Sequence, residues 1–322
     1  MTSRSDPNYL INRVRRTLDN SLRDENYYMA HQLYKSLYSR YLGVQKKEDA
    51  IKTLFEGIIV LLENNQNVSA IDLSQVFAKS LSTHHIIPND EIFKYVKEIF
   101  KKFGRTLSLE RESMLSIVLQ WTIEFCPEYP HGHPSLHKCI GFIYWSESNY
   151  SSAQYHYLRS TDGIGFAAML VELHKTRGFK HEVDLFIAQV VLQGLCVRNK
   201  IIAQTTFQSY TKLHPAINDK PPYILPLLNF ICFLLKILDG GKLKTYIVLC
   251  EQYEASLTRD PSYTKYLDKI GQLFFNVKPI ERRSRQQNGF LNNILGTIMG
   301  DCDHDSEPRP SSSRFMDVEP LD

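Results

Sequence analysis

Few residues in this sequence could perform chemistry, and one histidine cluster stands out among them. His131, His133 and His137 lie close together in the chain, and imidazole nitrogens are common ligands of transition metals. A metal site needs further ligands at a fixed spacing, and neither an H-E-x-x-H pattern nor a C-x-x-C pair accompanies the cluster. We predict no metal ligands here, and a metal-dependent enzyme that uses these histidines is the third of three hypotheses.

Other catalytic motifs are equally weak. The run Asp162-Gly163-Ile164-Gly165 lacks the third glycine of a dinucleotide fingerprint, and the chain contains neither a G-x-x-x-x-G-K-[ST] loop nor a G-x-S-x-G elbow. A turn that begins a helix is the simpler use of these glycines. The six cysteines are scattered, mostly in apolar runs, which is typical of reduced core residues in a cytosolic protein. We predict no catalytic residue, no cofactor and no enzymatic activity.

The charge balance and the hydropathy of the chain argue against two further classes of protein, those that bind nucleic acid and those that insert into a membrane. The 38 Lys and Arg residues nearly balance the 35 Asp and Glu residues, so no strong field attracts nucleic acid or an anionic membrane. The most apolar stretch, residues 223–238, is shorter than the roughly 20 residues of a membrane span. It also contains Pro226, Asn229 and Lys236. We expect a buried helix there, no stable membrane insertion, and a cytosolic location because residues 1–7 contain no apolar signal segment.

The elements that position these residues show apolar side chains at spacings of three and four, the signature of amphipathic helices. Three early segments have such a face, from Tyr27 to Tyr41, from Ala50 to Leu62 and from Ala70 to Leu81. Ten more helices are predicted at 89–103, 109–125, 134–146, 149–160, 164–177, 180–196, 199–212, 222–238, 242–255 and 261–275. The connections are short, which makes successive helices antiparallel neighbours.

A small repeat indicates how these helices pack. Asn26 is followed by an alanine four residues later, Ala30, and by a tyrosine eight residues later, Tyr34. Asn149 is followed by Ala153 and Tyr157 at the same spacing. A small residue lets a neighbouring helix approach, and the aromatic ring four residues later fills the gap. We predict an all-α fold, an α-solenoid of stacked antiparallel helix hairpins that is irregular and tetratricopeptide-like.

The character of the chain changes after Phe275. A polar, basic linker with Arg282, Arg283 and Arg285 leads to a short amphipathic helix that ends near residue 300. This helix could dock on the array, bind a partner or touch a membrane surface. Residues 301–322 are acidic and rich in Ser and Pro, which predicts a disordered tail.

Several strings carry a resemblance to a known family. They are Tyr27-Tyr28-Met29-Ala30-His31-Gln32 with Arg40-Tyr41, Arg177-Gly178-Phe179, Pro226-Leu227-Leu228-Asn229-Phe230, Asp239-Gly240-Gly241-Lys242-Leu243, Val248-Leu249-Cys250-Glu251-Gln252-Tyr253, and Arg259-Asp260-Pro261-Ser262-Tyr263. Together they resemble the scaffold subunits of the Golgi-to-ER traffic protein 4 family. These subunits serve the targeting of tail-anchored membrane proteins, through the transmembrane domain recognition complex in animals.

The resemblance implies a non-enzymatic scaffold with two docking halves. Residues 1–148 would dock the ATPase that delivers tail-anchored proteins to the endoplasmic reticulum, and residues 149–277 would dock the co-chaperone side. Residues 278–300 would form the linker and short helix. Fungal relatives carry a longer insertion where this chain has only His214 to Pro222, so a BAG-type chaperone scaffold is favoured over direct contact with a ubiquitin-like co-chaperone.

The resemblance also assigns candidate contact residues. Those for the ATPase are Tyr28, His31, Gln32, Arg40 and Asp72, and the alternative is that His31 and Gln32 only cap contacts between helices. Those for the chaperone or ubiquitin-like partner are aromatic: Phe230, Phe233, Tyr246, Tyr253, Tyr263 and Tyr266. From the sequence alone a second hypothesis stays open, a helix-repeat subunit of another assembly of the proteasome-lid or vesicle-coat type.

Overall fold

The computed structural model describes residues 7–217 and 220–277, and the regular secondary structure within these ranges is entirely helical. The helices in chain order are α1 Pro7–Arg23, α2 Tyr27–Gly43, α3 Lys47–Glu63, α4 Asn67–Thr83, α5 Asp90–Phe103, α6 Ser108–Phe125, α7 Pro134–Ser146, α8 Tyr150–Tyr157, α9 Gly163–Arg177, α10 Val183–Cys196, α11 Lys200–Leu213, α12 Pro226–Ile237, α13 Leu243–Gln252, α14 Glu254–Leu257 and α15 Ser262–Phe275. A 3₁₀ turn, Lys180–Glu182, precedes α10.

The chain divides after Lys220 into two compact units. The first unit contains α1 to α11 and the second contains α12 to α15. Within the described ranges, no helix combines the length and the apolar character needed to cross a bilayer. The predicted boundary between the two docking halves, near residue 148, lies inside the first unit, at the turn between α7 and α8. It does not coincide with the division into compact units, and it stays a prediction about where partners bind.

The first unit is built from antiparallel hairpins stacked in two layers. Each of α1, α2 and α3 packs on its successor, while α2, α4 and α6 are neighbours in one layer and α3, α5 and α7 in the other. Further along, α9 packs closely on α11, and α10 also packs on α11. This arrangement confirms the predicted solenoid of helix hairpins.

The turns after the first four helices share one backbone conformation. The second residue after each of these helices has positive φ, and these residues stand at 20-residue intervals: Glu25, Gln45, Asn65 and His85. The amide after each of them donates to a carbonyl five residues back, as Lys46 N does to Tyr41 O at 2.9 Å. This is the Schellman motif, which satisfies the free carbonyls at a helix end. The first three of these turns lead into the next helix after three residues, whereas six residues separate α4 from α5. Ser148 and Arg198 make the same turn later in the unit.

Close approach of the helices follows from small residues just after these turns. Ala30, Ala50 and Ala70 are each 0% exposed, again at 20-residue intervals, and Ala153 is equally buried. Asn26 and Asn149 cap their helices by accepting hydrogen bonds from backbone amides three residues on. The repeat noticed in the sequence is therefore a helix-start motif, an asparagine cap followed by a buried alanine.

The second unit packs four helices around aromatic rings. Tyr246 of α13 stacks on Phe275 of α15 with ring centroids 4.6 Å apart, and its hydroxyl donates to the carbonyl of Leu267 at 2.8 Å. The Asn229 side chain pairs with both backbone polar atoms of Tyr223, at 2.8 Å each, and so fixes the segment before α12. The aromatic content of this region therefore serves packing first.

Helix positions agree with the sequence prediction, with three differences. Helix α1 was not predicted, although Leu10, Ile11, Val14 and Leu18 have helical spacing. Helix α12 begins at Pro226 rather than residue 222, since proline is favoured at the first helical position. The predicted helix 242–255 is divided into α13 and α14. The linker, short helix and tail predicted from residue 278 onward lie outside the described residues.

Two pairs of buried histidines hydrogen-bond to each other in the first unit. His137 Nδ1 lies 2.8 Å from His156 Nδ1, and His214 Nε2 lies 3.0 Å from His174 Nδ1. Burial is the main cause that lowers the pKa of His137 to about 4, of His156 to about 3 and of His214 to about 4. Neighbouring histidines and the cations Arg159 and Lys175 lower the pKa values further. The side chains of His137, His156 and His214 are therefore neutral in the folded protein at neutral pH.

The histidine pairs predict acid sensitivity of the fold. A histidine in the unfolded chain has a pKa of about 6.5, so below that pH the unfolded state binds protons that the folded state rejects. Stability should be intact above pH 6.5 and decline as the pH falls toward 4, by about 1–2 kcal/mol per histidine at pH 5. Urea unfolding at pH 7.5 and pH 5 measures this loss.

A matched pair of variants separates the buried histidines from other acid effects. His214→Gln should reduce the difference between the two pH values by the share of one histidine, whereas His85→Gln, on the surface, should leave it unchanged. If the free energy of unfolding changed equally with pH in both variants and in the parent protein, the buried histidine pairs would not be the cause of the acid sensitivity.

Candidate partner-binding surfaces

A hydrogen-bonded polar cluster joins α2 and α4 on the surface of the first unit. His31 Nε2 lies 2.7 Å from Asp72 Oδ2, and Lys35 Nζ donates to the same oxygen at 2.6 Å. The Asp72 side chain remains 44% exposed, and its Oδ1 receives no hydrogen bond from the described residues. One carboxylate oxygen therefore holds two helices together while the other stays available to a partner.

Gln32 sets the orientation of the His31 ring. Its side-chain nitrogen lies 3.2 Å from His31 Nδ1, so an amide N–H donates to Nδ1. A neutral imidazole that accepts at Nδ1 carries its proton on Nε2, where Asp72 accepts it. Four side chains thus form one chain of contacts, from Gln32 through His31 to Asp72 and Lys35.

Electrostatics keeps the Asp72 carboxylate charged. Burial alone would raise its pKa, but hydrogen bonds from Lys35 and His31, together with the positive charge of Lys35, outweigh burial and hold the pKa of Asp72 below its ordinary value. The site therefore presents a fixed anion beside a cation at neutral pH. A surface with an anion and a cation side by side suits a partner whose own charges lie in the complementary arrangement.

Tyr28 extends the cluster as an exposed aromatic side chain. It is 75% exposed and lies one turn before His31 and Gln32 on the same face of α2. Arg40 does not join the cluster, since it lies about 120° around the helix from Tyr28 at 3.6 residues per turn. Its Nε atom is buried and has no hydrogen-bond partner within the described chain. Of the five predicted ATPase contacts, the structure thus joins His31, Gln32 and Asp72 and places Tyr28 on the same face of α2, while Arg40 lies apart.

Sequence reasoning missed two residues of α2 that build this surface. Lys35 is the second donor to Asp72, and Tyr38 bonds across to α4, with its hydroxyl 2.7 Å from Ser80 Oγ and 2.9 Å from His84 Nε2. The available signal was spacing, because Lys35 and Tyr38 follow His31 at four and seven residues. His84 itself is half-buried and hydrogen-bonded to Tyr38.

The six aromatic residues predicted to contact the chaperone side fall into two groups. Phe230, Tyr246 and Tyr263 are each 0% exposed and belong to the core of the second unit, so a partner cannot reach them in this conformation. Phe233 is 46% exposed on α12, and Tyr253 and Tyr266 are half-buried. Helical spacing alone could not separate these groups, because every face of this apolar region contains aromatic residues.

The histidine cluster has structural partners. His133 caps α7 by accepting the Ser135 amide at 3.2 Å, and Pro134 follows at the first helical position, as predicted. His137 is buried and bonded to the His131 carbonyl and to His156. Across residues 7–217 and 220–277, no group of three His, Cys, Asp or Glu side chains is placed to hold a metal ion.

Comparisons with known proteins agree with this architecture. The family model described as Golgi to ER traffic protein 4 matches residues 44–299. A solved structure described as the crystal structure of C. therm. Get4 shares the fold with a TM-score of 0.74 and 23% identity, over 93% of this chain and 99% of that chain. The similarity includes both compact units.

Curated relatives from vertebrates are much closer in sequence. The Golgi to ER traffic protein 4 homolog of Oryzias latipes is 43% identical over 92% of this chain and 90% of its own length. The homolog of Homo sapiens is 41% identical over 96% of this chain and 93% of its own. Because the family model and these relatives cover most of the chain, it belongs to the Golgi to ER traffic protein 4 family.

Proposed function

We propose that this chain is a non-enzymatic cytosolic scaffold in Golgi-to-ER traffic that acts in the targeting of tail-anchored membrane proteins. Residues 1–148 dock the ATPase that delivers these proteins to the endoplasmic reticulum, and residues 149–277, which include α12 to α15, dock a BAG-type chaperone scaffold. A ubiquitin-like co-chaperone joins through that partner or directly. The single observation that carries the proposal is the polar cluster around Asp72, in a chain of this family.

The geometry of the cluster supports docking rather than packing alone. If His31 and Gln32 served only to join helices, Asp72 would be enclosed, yet its side chain is 44% exposed and Oδ1 is available. Tyr28 adds an exposed ring of the type that anchors protein interfaces. An anchor beside a fixed carboxylate is a preformed site for a partner that presents a cation next to an apolar pocket.

Substitutions on this surface should weaken ATPase binding without unfolding the protein. We expect Tyr28→Ala to reduce affinity about 10-fold or more, as loss of an aromatic anchor does. Asp72→Asn should reduce it by a similar factor and also lessen its dependence on salt, because a charged contact is lost. Calorimetry with the ATP-bound ATPase at two salt concentrations measures both effects.

A control variant shows whether the effect is local. Phe179→Ala also removes an exposed aromatic side chain, 67% exposed and far along the chain from α2, and should leave ATPase affinity unchanged. Equal loss in both variants, or no loss in Tyr28→Ala at unchanged melting temperature, would count against the α2–α4 surface as the docking site.

The second unit offers a separate apolar surface. Phe233 on α12 is 46% exposed and Val248 on α13 is 53% exposed, while the interior of the unit is closed by Phe230, Tyr246 and Tyr263. A partner contact on this unit therefore rests on the accessible aromatic residues. Phe233, together with Tyr253 and Tyr266, is the remaining candidate anchor among the six.

Phe233→Ala should release the chaperone partner while the fold stays intact. The matched variant is Tyr246→Phe, which deletes the buried hydroxyl bonded to Leu267. It should lower the free energy of unfolding by about 1–3 kcal/mol and leave partner binding unchanged. Co-purification of the chaperone scaffold with the full chain, beside urea unfolding, distinguishes the two. Retention of the partner by Phe233→Ala would contradict this role.

A further inference from the structure

Three exposed lysines form a row on the outer side of α5. Lys94, Lys97 and Lys101 lie within about 60° of one another around the helix at 3.6 residues per turn. Among residues 7–217 and 220–277, none of them has an ion-pair partner. Lysines four residues apart on a helix repel each other. The row therefore carries positive charge that no ion pair of the fold neutralises.

Helix α7 adds a fourth lysine beside this row. Burial raises the pKa of the Cys139 thiol on α7, and the charges of Lys97 and Lys138 both oppose that rise, so the two lysines lie close to the same sulfur atom. Asp90, at the start of α5, also acts on this thiol, and Asp162 Oδ2 lies 3.3 Å from Lys138 Nζ. Even with these two carboxylates counted, the four lysines leave a net positive charge.

Other acidic residues of this region lie toward α3. Helical spacing places Glu91 and Glu98 on the side of α5 where Tyr95 stacks on a ring of α3, with centroids 4.2 Å apart. Glu63 of α3 lies on that side too and pairs with Lys102 at 2.8 Å. The lysines near α7 thus form a narrow basic band that is bordered by carboxylates along α3.

An aromatic pair on α7 lies beside the lysine of the same helix. Phe142 is 52% exposed, and its ring meets that of Trp145 edge to face, with centroids 6.0 Å apart. These two residues follow Lys138 at four and seven residues, so all three share one face of α7. Charge and an accessible apolar anchor therefore occur on one continuous surface of α5 and α7.

We propose that this surface, the basic band of Lys94, Lys97, Lys101 and Lys138 with Phe142 beside it, binds an extended acidic segment of a partner polypeptide. The segment would carry an aromatic or branched apolar side chain that packs on Phe142. Its carboxylates would meet the lysines, because the two charge patterns are complementary. The proposal goes beyond the proposed function, since α5 and α7 lie in the other helix layer from the α2–α4 surface.

The shape of the basic band favours a polypeptide over other anions. The row on α5 is about 10 Å long at 1.5 Å per residue, which matches about three residues of an extended chain. A membrane surface or a nucleic acid is broader, and its phosphates would also meet the carboxylates toward α3, such as Glu91 and Glu98. Like charges brought together across an interface cost free energy. A narrow acidic chain avoids that contact.

Fluorescence anisotropy of the full chain tests the proposal with a fluorescein-labelled hexapeptide of sequence EDEFED. It should bind saturably, and more weakly as salt is added, because the contacts are between charges. The uncharged control QNQFQN should not bind. The peptide EDEAED, which lacks the anchor, should bind about fivefold more weakly or worse.

Matched variants locate the binding on the surface. The double variant Lys97→Gln with Lys101→Gln should weaken EDEFED binding about fivefold or more. Its melting temperature should not fall, because repulsion between the lysines is relieved. The control, Lys265→Gln with Lys269→Gln, removes the same charge from exposed sites of α15 and should leave the affinity unchanged. Phe142→Ala should weaken binding of EDEFED but not of EDEAED.

Three results would overturn the proposal: no saturable binding of EDEFED, equal binding of QNQFQN, or equal losses of affinity in the two double variants. Vesicles of phosphatidylserine and a 12-nucleotide thymidine strand test the other anions. If either bound more tightly than EDEFED and lost that affinity in Lys97→Gln with Lys101→Gln, the assignment to a polypeptide would be wrong.

Discussion

The fold of the first unit depends on one constraint, the tight reversal of the chain after each helix of the hairpin array. A left-handed residue at 25, 45, 65 and 85 follows the end of a helix, and after the first three of these turns the next helix begins within three residues. In each of those three helices a fully buried alanine lets the neighbouring helix approach at close range. Because the interval repeats, α2 and α4 run parallel and side by side, which brings His31 within 2.7 Å of Asp72, 41 residues away. The candidate docking surface is thus a product of turn geometry and small-residue packing.

Much of this architecture could be predicted from the sequence, because helix formation depends on residues that are close together in the chain. Spacing at three and four residues located nearly every helix, and His133-Pro134 marked the start of α7. The 20-residue interval was missed because its left-handed positions hold Glu, Gln, Asn and His rather than glycine. No residue type marks such a turn when the Schellman hydrogen bonds stabilise an ordinary side chain there. Helix α1 was missed although its apolar spacing was present.

The candidate sites were harder to predict, since they depend on contacts between distant segments. Resemblance supplied Asp72 and His31, but only the structure shows that they share an oxygen contact with Lys35. Exposure was unpredictable for the aromatic residues of the second unit, because Phe230 and Phe233 lie on one helix with 0% and 46% exposure. The hydrogen bonds of His137 to the carbonyl of residue 131 and to His156 also join separate segments, and no local sequence pattern predicts them.

Hydrogen exchange of the full chain with and without the ATP-bound targeting ATPase tests the central claim most directly, since it locates the docking surface without any substitution. The account predicts slower exchange in the first two turns of α2 and around residue 72 of α4, with the second unit unchanged. Protection confined to α12 to α15, or no protection in α2 and α4 at saturating ATPase, would contradict it.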